Sequence, residues 1–91
     1  MELSERNLRQ LESEDFNEVY EWFDESSKHY PAHSHTYGVS IIVSEGEIEI
    51  ITGGKTVLLK SGERIDVPAD QEHSATAGKE GCKYIVGEGE G

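Results

Sequence analysis

The chain alternates between inward and outward positions from residue 33 to residue 44, a pattern that predicts a β-strand. The odd positions carry His35, Tyr37, Val39, Ile41 and Val43, whereas five of the six even positions are small or polar. Residues two apart on a strand share a face. The odd face is therefore expected to point into a core, with the histidines at its open end.

Further short apolar runs, separated by turn residues, lie on both sides of this segment. The predicted strands are 16–24, 47–50, 56–59, 64–67 and 82–86, and the predicted turns are 25–28, 45–46, 53–54, 61–63 and 78–81. Many short strands with turns about every eight residues are typical of an all-β sandwich or barrel.

The two ends of the chain differ from this central domain, which we place at residues 16–86. Residues 1–15 carry leucines among charged residues and fit either a short helix or an edge strand, so this choice stays open. Residues 87–91 alternate glycine and glutamate, which predicts a flexible tail.

Composition restricts the partners and the compartment. The chain has 91 residues and a net charge of −11, so it lacks the basic surface that nucleic acid or an anionic membrane would need. A chain this short folds more easily as an oligomer or around a metal. It has a single cysteine, no apolar run near the ~20 residues of a membrane span, and an acidic N-terminal segment. These features predict a cytoplasmic protein.

Histidines are the main candidates for chemistry. His33 and His35 are two apart on an extended segment, so both imidazoles can face one ion. A third nitrogen would have to come from His29 or His73. His73 is the better candidate, because it follows a separate predicted strand and the loop 68–72. Spacing alone leaves open whether the three converge.

With these histidines, the order of residues resembles the first motif of the cupin superfamily, a group of small jelly-roll β-barrels. That motif contains a glycine, His-x-His, a glutamate and a second glycine at fixed spacings. His33, His35 and Gly46 match it, whereas Ser27 replaces the first glycine and Val39 replaces the glutamate.

The second cupin motif is matched further along the chain. Gly62, Pro68 and His73 fall at the expected spacing, whereas Asp70 replaces a glycine and Ala77 replaces an asparagine. The resemblance covers about residues 19 to 86. It implies a cupin-type jelly-roll barrel of short antiparallel strands.

The resemblance also implies a metal site, because cupins bind a divalent metal through these motif positions. Carried over by position, His33, His35 and His73 would be the ligands, and Val39 could not bind. Three neutral imidazoles suit iron, zinc, copper or nickel better than manganese. The arrangement looks like the three-histidine centre of cupin dioxygenases acting on thiols and diketones. Small cupins commonly pair through sheet edges, so a homodimer is expected as well.

Several other residues are weaker candidates. Tyr37 follows His35 on the inward face, where its phenol could act as an acid or simply fill space. Cys82 could approach the cavity as a thiol or be an inert core residue. Gln71 or Glu72 could orient His73 or could face solvent. Trp22 is most simply a core or dimer-interface residue, with substrate stacking as the alternative.

Two functional hypotheses follow from these residues. The first is a metal-binding enzyme with dioxygenase-like or isomerase-like activity on a small oxygenated molecule. The alternative is a barrel that binds or senses a metal or small ligand without turnover. A purely structural, dimerising barrel is a third possibility, and a sealed apolar interior would favour it.

Overall fold

The computed structural model describes residues 2–89, which form one α-helix and six β-strands. The elements are α1 (Leu3–Glu12), β1 (Glu18–Asp24), β2 (His29–His33), β3 (Val39–Thr52), β4 (Lys55–Lys60), β5 (Arg64–Val67) and β6 (His73–Glu88). Every strand pairing is antiparallel. The all-β prediction is therefore confirmed.

Two long strands, β3 and β6, organise the barrel by pairing with each other along most of their length. The other edge of β6 pairs with β1 and β2, and the other edge of β3 pairs with β5 and β4. Each half of the β3–β6 pair thus carries two further strands, in the orders β1-β6-β3-β5 and β2-β6-β3-β4. One apolar core, drawn from both halves, fills the space between them. This is the jelly-roll arrangement predicted from the sequence.

Each long strand bends at a glycine where we had predicted a turn. The turns expected at 45–46 and 78–81 are absent, because β3 and β6 run through these positions with a shifted register. Gly46 and Gly81 have φ of 76° and 81°, which non-glycine residues rarely adopt. A Cβ on Gly46 would lie 2.2 Å from the carbonyl oxygen of Gly81. The two bends therefore pack against each other and require glycine.

The two hairpin turns around β4 were predicted correctly. Gly53 and Gly54 join β3 to β4 as a two-residue turn, with Thr52 opposite Lys55. Ser61 and Gly62 form the turn before β5. These turns place β4 and β5 one after the other along the same edge of β3.

The first half of β3 is buried on both faces, not only on its odd face. Val39 and Val43 belong to the barrel core, whereas Ser40, Ile42 and Ser44 on the other face are also about 5% exposed. The outer face is covered, and the cover comes from the N-terminal segment.

The N-terminal segment covers this outer face as the helix α1. The choice between a short helix and an edge strand is therefore decided in favour of the helix. Leu11 of α1 is fully buried against Ile42 and Ile85 on the outside of the barrel. The Asn7 amide donates to the Val43 carbonyl oxygen at 3.2 Å and to the Ser44 hydroxyl oxygen at 3.2 Å.

No helix within residues 2–89 is long and apolar enough to cross a membrane.

The C-terminal end differs from the expected tail. β6 continues through Gly87 and Glu88, because both residues pair with β1 and β3. The last two residues of the predicted tail, Glu90 and Gly91, lie outside the described residues.

Candidate metal centre

The strand predicted from residue 33 is interrupted, and the two motif histidines lie on either side of a strand end. His33 is the last residue of β2 and pairs with His73, the first residue of β6. His35 lies in the loop 34–38 that precedes β3. The Asp70 amide donates to the His35 carbonyl oxygen at 2.7 Å, so the loop is held by the segment before β6 rather than by a strand ladder.

The three predicted ligands do converge. Each of His33, His35 and His73 offers a nitrogen, and the three nitrogens lie within 4.8 Å of one another. The ring centroids are 4.9 Å apart for His33 and His35, 4.3 Å for His33 and His73, and 5.4 Å for His35 and His73. The cluster is thus compact enough for one ion to contact all three imidazoles.

Backbone carbonyls orient two of these rings. His33 Nδ1 lies 2.7 Å from the Pro31 carbonyl oxygen, and His73 Nδ1 lies 3.3 Å from the Gln71 carbonyl oxygen. A carbonyl oxygen can only accept, so Nδ1 of each ring carries the hydrogen. In the neutral form of each ring, Nε2 then carries the lone pair that can bind a metal. The donor set therefore fits a divalent transition metal.

Burial supports the same protonation state at His73. Its side chain is 9% exposed, and desolvation, followed by the nearby His33 and His35 rings, lowers its pKa below the ordinary value, while the bond to Gln71 opposes the shift. A neutral imidazole at neutral pH is what metal binding requires.

A cavity of about 250 Å³ adjoins all three histidines inside the barrel. Part of its wall is aliphatic and comes from β3, β5 and β6. The rest carries polar groups, including Tyr20 and Glu88, and the Tyr20 hydroxyl donates to Glu88 Oε2 at 2.6 Å. The interior is therefore neither sealed from the histidines nor purely apolar.

A second polar group supports the aromatic side of the cavity. The Asp24 carboxylate is 3% exposed and accepts hydrogen bonds from three side chains. Trp22 Nε1 donates at 2.9 Å, the Tyr84 hydroxyl at 2.6 Å and the Tyr30 hydroxyl at 2.5 Å. Desolvation is the first cause that raises the pKa of both tyrosines, so both stay protonated donors. Asp24 thereby fixes three aromatic residues of the cavity wall.

The weaker candidates fall in different places. Tyr37 stacks on His35 with ring centroids 5.0 Å apart, but it is not among the residues that line the cavity. His29 lies outside the cluster, with Nδ1 2.8 Å from the Thr76 hydroxyl oxygen. Trp22 is 48% exposed and lines the cavity, so its placement in the core is wrong, whereas the dimer-interface and substrate-stacking alternatives stay predictions.

Two further candidates have structural roles. Cys82 is 1% exposed in the barrel core, and burial raises the pKa of its thiol to about 12, so it is inert as a nucleophile. Gln71 orients His73 through its backbone carbonyl, whereas its side-chain amide donates to Thr52 at 2.7 Å. Glu72 is exposed.

Two polar residues of the cavity, Glu88 and Tyr20, were not predicted from the sequence. Glu88 was placed in the tail because glycines flank it. The inward pattern of β6 runs Cys82, Tyr84, Val86, and its period of two leads directly to Glu88. Extending that period would have found the cavity carboxylate.

A cupin domain model matches residues 23–88, most of the chain. The chain belongs to the cupin family. A search of curated proteins finds no match to this cupin. Solved structures of the same fold do match it, at identities that show the fold alone.

Three of these structures illustrate the range. A cupin from Shewanella frigidimarina, described as RmlC-like, has a TM-score of 0.72 at 21% identity, covering 78% of this chain and 63% of its own. A DMSP lyase from Ruegeria pomeroyi has a TM-score of 0.73 at 19% identity, covering 79% and 37%. A polyketide cyclase from Streptomyces resistomycificus has a TM-score of 0.70 at 24% identity, covering 78% and 52%. The chain spans less than two thirds of each of these proteins.

Proposed function

We propose that this cupin binds one divalent transition metal through His33, His35 and His73 and uses the centre to act on a small oxygenated molecule. The observation that carries the proposal is the convergence of three imidazole nitrogens within 4.8 Å of one another at the wall of a cavity. The metal would supply Lewis-acid polarisation of a ligand oxygen. Imidazole donors favour iron, zinc, copper or nickel over manganese.

The cavity supports a small ligand. Its volume of about 250 Å³ is below the ~300–1,000 Å³ of pockets for drug-sized molecules. Tyr20 and Glu88 give it hydrogen-bonding groups, whereas aliphatic residues of β3 and β5 give it apolar surface. Because the cavity reaches the histidines, a ligand can approach the metal directly. That access supports a functional centre over a purely structural barrel.

The proposal also includes the type of reaction at this centre. Two of the structural relatives, the DMSP lyase and the polyketide cyclase, are named as enzymes. We propose dioxygenase-like or isomerase-like chemistry for this chain, with Tyr20 and Glu88 as the polar residues best placed to contact a substrate. Tyr37 is a weaker candidate than we expected, because it packs behind His35.

The metal site is tested by elemental analysis. Protein purified without a histidine tag is compared with a His33→Ala, His73→Ala double variant by inductively coupled plasma mass spectrometry. We expect close to one metal ion per wild-type chain and loss of that ion in the double variant. His29→Ala is the matched control and should keep the metal, because His29 lies outside the cluster. Wild-type protein that is empty and takes up no added metal would refute the site.

Turnover is tested separately from binding. Iron-loaded protein is mixed with small diketones and thiols, and oxygen uptake is followed with the double variant as background. Oxygen uptake by the wild type that is absent in the double variant supports the dioxygenase-like reaction. Saturable binding of such a molecule without uptake or conversion supports the binding or sensing alternative instead.

A further inference from the structure

Glu88 lies in an unexpected place for a residue near the end of the chain. It lines the same cavity as the three histidines, and it is the only acidic residue in that lining among residues 2–89. Its backbone is held on both sides. The Asn17 amide donates to the Glu88 carbonyl oxygen at 2.9 Å, and the Gly89 amide donates to the Gly38 carbonyl oxygen at 3.0 Å. The carboxylate is therefore presented by a paired strand.

The register of β6 places Glu88 directly opposite Val39. Opposite residues of an antiparallel pair share a face, with Cβ atoms about 4.5–5.5 Å apart. Both residues accordingly line the cavity. Glu88 thus brings a carboxylate to the side of the barrel where Val39 offers only an aliphatic group.

Tyr20 holds this carboxylate. Its hydroxyl donates to Glu88 Oε2 at 2.6 Å. Desolvation, followed by the bond to Glu88, raises the pKa of Tyr20, so the phenol stays protonated and remains a donor. The pair Tyr20–Glu88 is a built feature of the cavity wall, since both side chains come from strands that pair with each other.

The charge of the proposed centre gives this carboxylate a role. Three neutral imidazoles leave a divalent ion with its full charge, and a partly buried charge is costly unless another group offsets it. We propose that Glu88 is the carboxylate partner of the three-histidine centre, acting across the cavity as its counter-charge. This inference rests on the proposed metal site. With Glu88 ionised, the ion and the cavity wall together carry +1 instead of +2, so one monoanionic ligand would neutralise the remaining charge.

The first test measures the affinity for Co²⁺. The metal-free protein competes with a chromophoric chelator for Co²⁺, in wild type, Glu88→Gln and Glu88→Asp. Groups that hydrogen-bond the ligands of a metal typically change its affinity about 10–100-fold. Glu88 acts through its charge and not through such a bond, so the lower end of this range applies. We expect Glu88→Gln to weaken Co²⁺ binding about tenfold or more, and Glu88→Asp, which keeps the charge, to recover part of the loss. Glu49→Gln is the control, because Glu49 is exposed, does not line the cavity and loses the same charge.

The second test separates a charge effect from a loosened structure. Azide is titrated into each Co²⁺-loaded protein, and the visible absorption of the cobalt reports its binding. Glu88→Gln should bind azide more tightly than wild type, because a negative charge has been removed from the cavity. A merely looser cavity would not tighten azide binding.

The outcomes separate the inference from the proposal beneath it. Wild-type protein that binds Co²⁺, with Glu88→Gln matching Glu49→Gln in either titration, would overturn the role of Glu88 and leave the histidine site standing. Wild-type protein that binds no Co²⁺ would overturn both. Weaker Co²⁺ binding together with tighter azide binding in Glu88→Gln alone is the result we expect.

Discussion

Two single residues show how this cupin departs from its family motifs without losing the local backbone. Ser27 and Asp70 replace motif glycines, and they have φ of 59° and 64°. A non-glycine residue in this left-handed region costs about 1–3 kcal/mol, less for aspartate than for most. Both residues therefore keep a backbone conformation that usually requires glycine. The turns still form for this reason, and they position His33 and His73 at the proposed metal site.

A charged pair at the residue scale gives a prediction about pH. Arg64 donates to both carboxylate oxygens of Glu14 at 2.7 Å and thereby joins the turn that follows α1 to β5. The hydrogen bonds from Arg64, and secondarily from Gln10, lower the pKa of Glu14 from 4.5 to about 2. The folded state thus binds this proton less readily than the unfolded state. The stabilisation is present above pH 4.5 and is lost as the pH falls toward 2.

We expect Glu14→Gln to lower the free energy of unfolding by about 1 kcal/mol at pH 7, a value discounted because the pair is partly exposed. At pH 3 this difference from wild type should fall to about half or less. Urea denaturation of metal-free protein at both pH values measures it. Glu12→Gln is the control, since Glu12 makes no ion pair among the described residues. A loss for Glu14→Gln that is equal at both pH values would contradict the assignment.

At the scale of elements, the bends of β3 and β6 make the barrel possible. They let one pair of strands serve two halves of the sheet, with β1 and β5 along one half and β2 and β4 along the other. The bends meet where Gly46 faces Gly81, at a distance that admits no side chain. One glycine contact therefore holds the shape of both long strands.

Gly46→Ala should reveal that contact. Its new Cβ would lie 2.2 Å from a backbone oxygen and would also require a strained φ. Gly54→Ala is the control, because its φ of 75° is similar but no atom lies within 4 Å of its Cβ. We expect Gly54→Ala to cost about 1 kcal/mol and Gly46→Ala at least about 3 kcal/mol in urea denaturation. Equal losses would mean that φ alone, and not the packing of the bends, requires glycine.

The same bends show the limit of prediction from sequence. Gly53 and Gly54 form a turn that depends on local residues alone, and it was predicted correctly. Glu45 and Gly46 carry the same type of local pattern, but β6 pairs with residues on both sides of them. The pairing with β6, which is distant in sequence, makes residues 45–46 a bend within β3 instead of a turn. Likewise, motif spacing identified His33, His35 and His73, and the period of two in β6 could have identified Glu88, whereas its place opposite Val39 depends on the pairing of β3 with β6.

At the scale of the whole molecule, the three histidines lie on different segments of the chain. His33 ends β2, His73 begins β6, and His35 sits in a loop held by Asp70. A metal bound here would link the start of β6 to two segments from the first half of the chain. The expected homodimer and cytoplasmic location stay predictions, because they concern surfaces and surroundings beyond this single chain.

A ligand that binds only the folded state stabilises it by RT ln(1 + [L]/Kd), about 2.7 kcal/mol at a hundredfold excess over Kd. For a domain of this size that corresponds to a rise in Tm of about 10–20 °C. We therefore expect Zn²⁺ to raise the Tm of wild type and of His29→Ala in calorimetry, and the chelator EDTA to reverse the rise. The His33→Ala, His73→Ala variant should not respond.

A chain with a net charge of −11 can also attract cations at its surface. An equal rise in the double variant would assign the stabilisation to that surface, because the acidic groups are unchanged and only the histidine cluster has been removed.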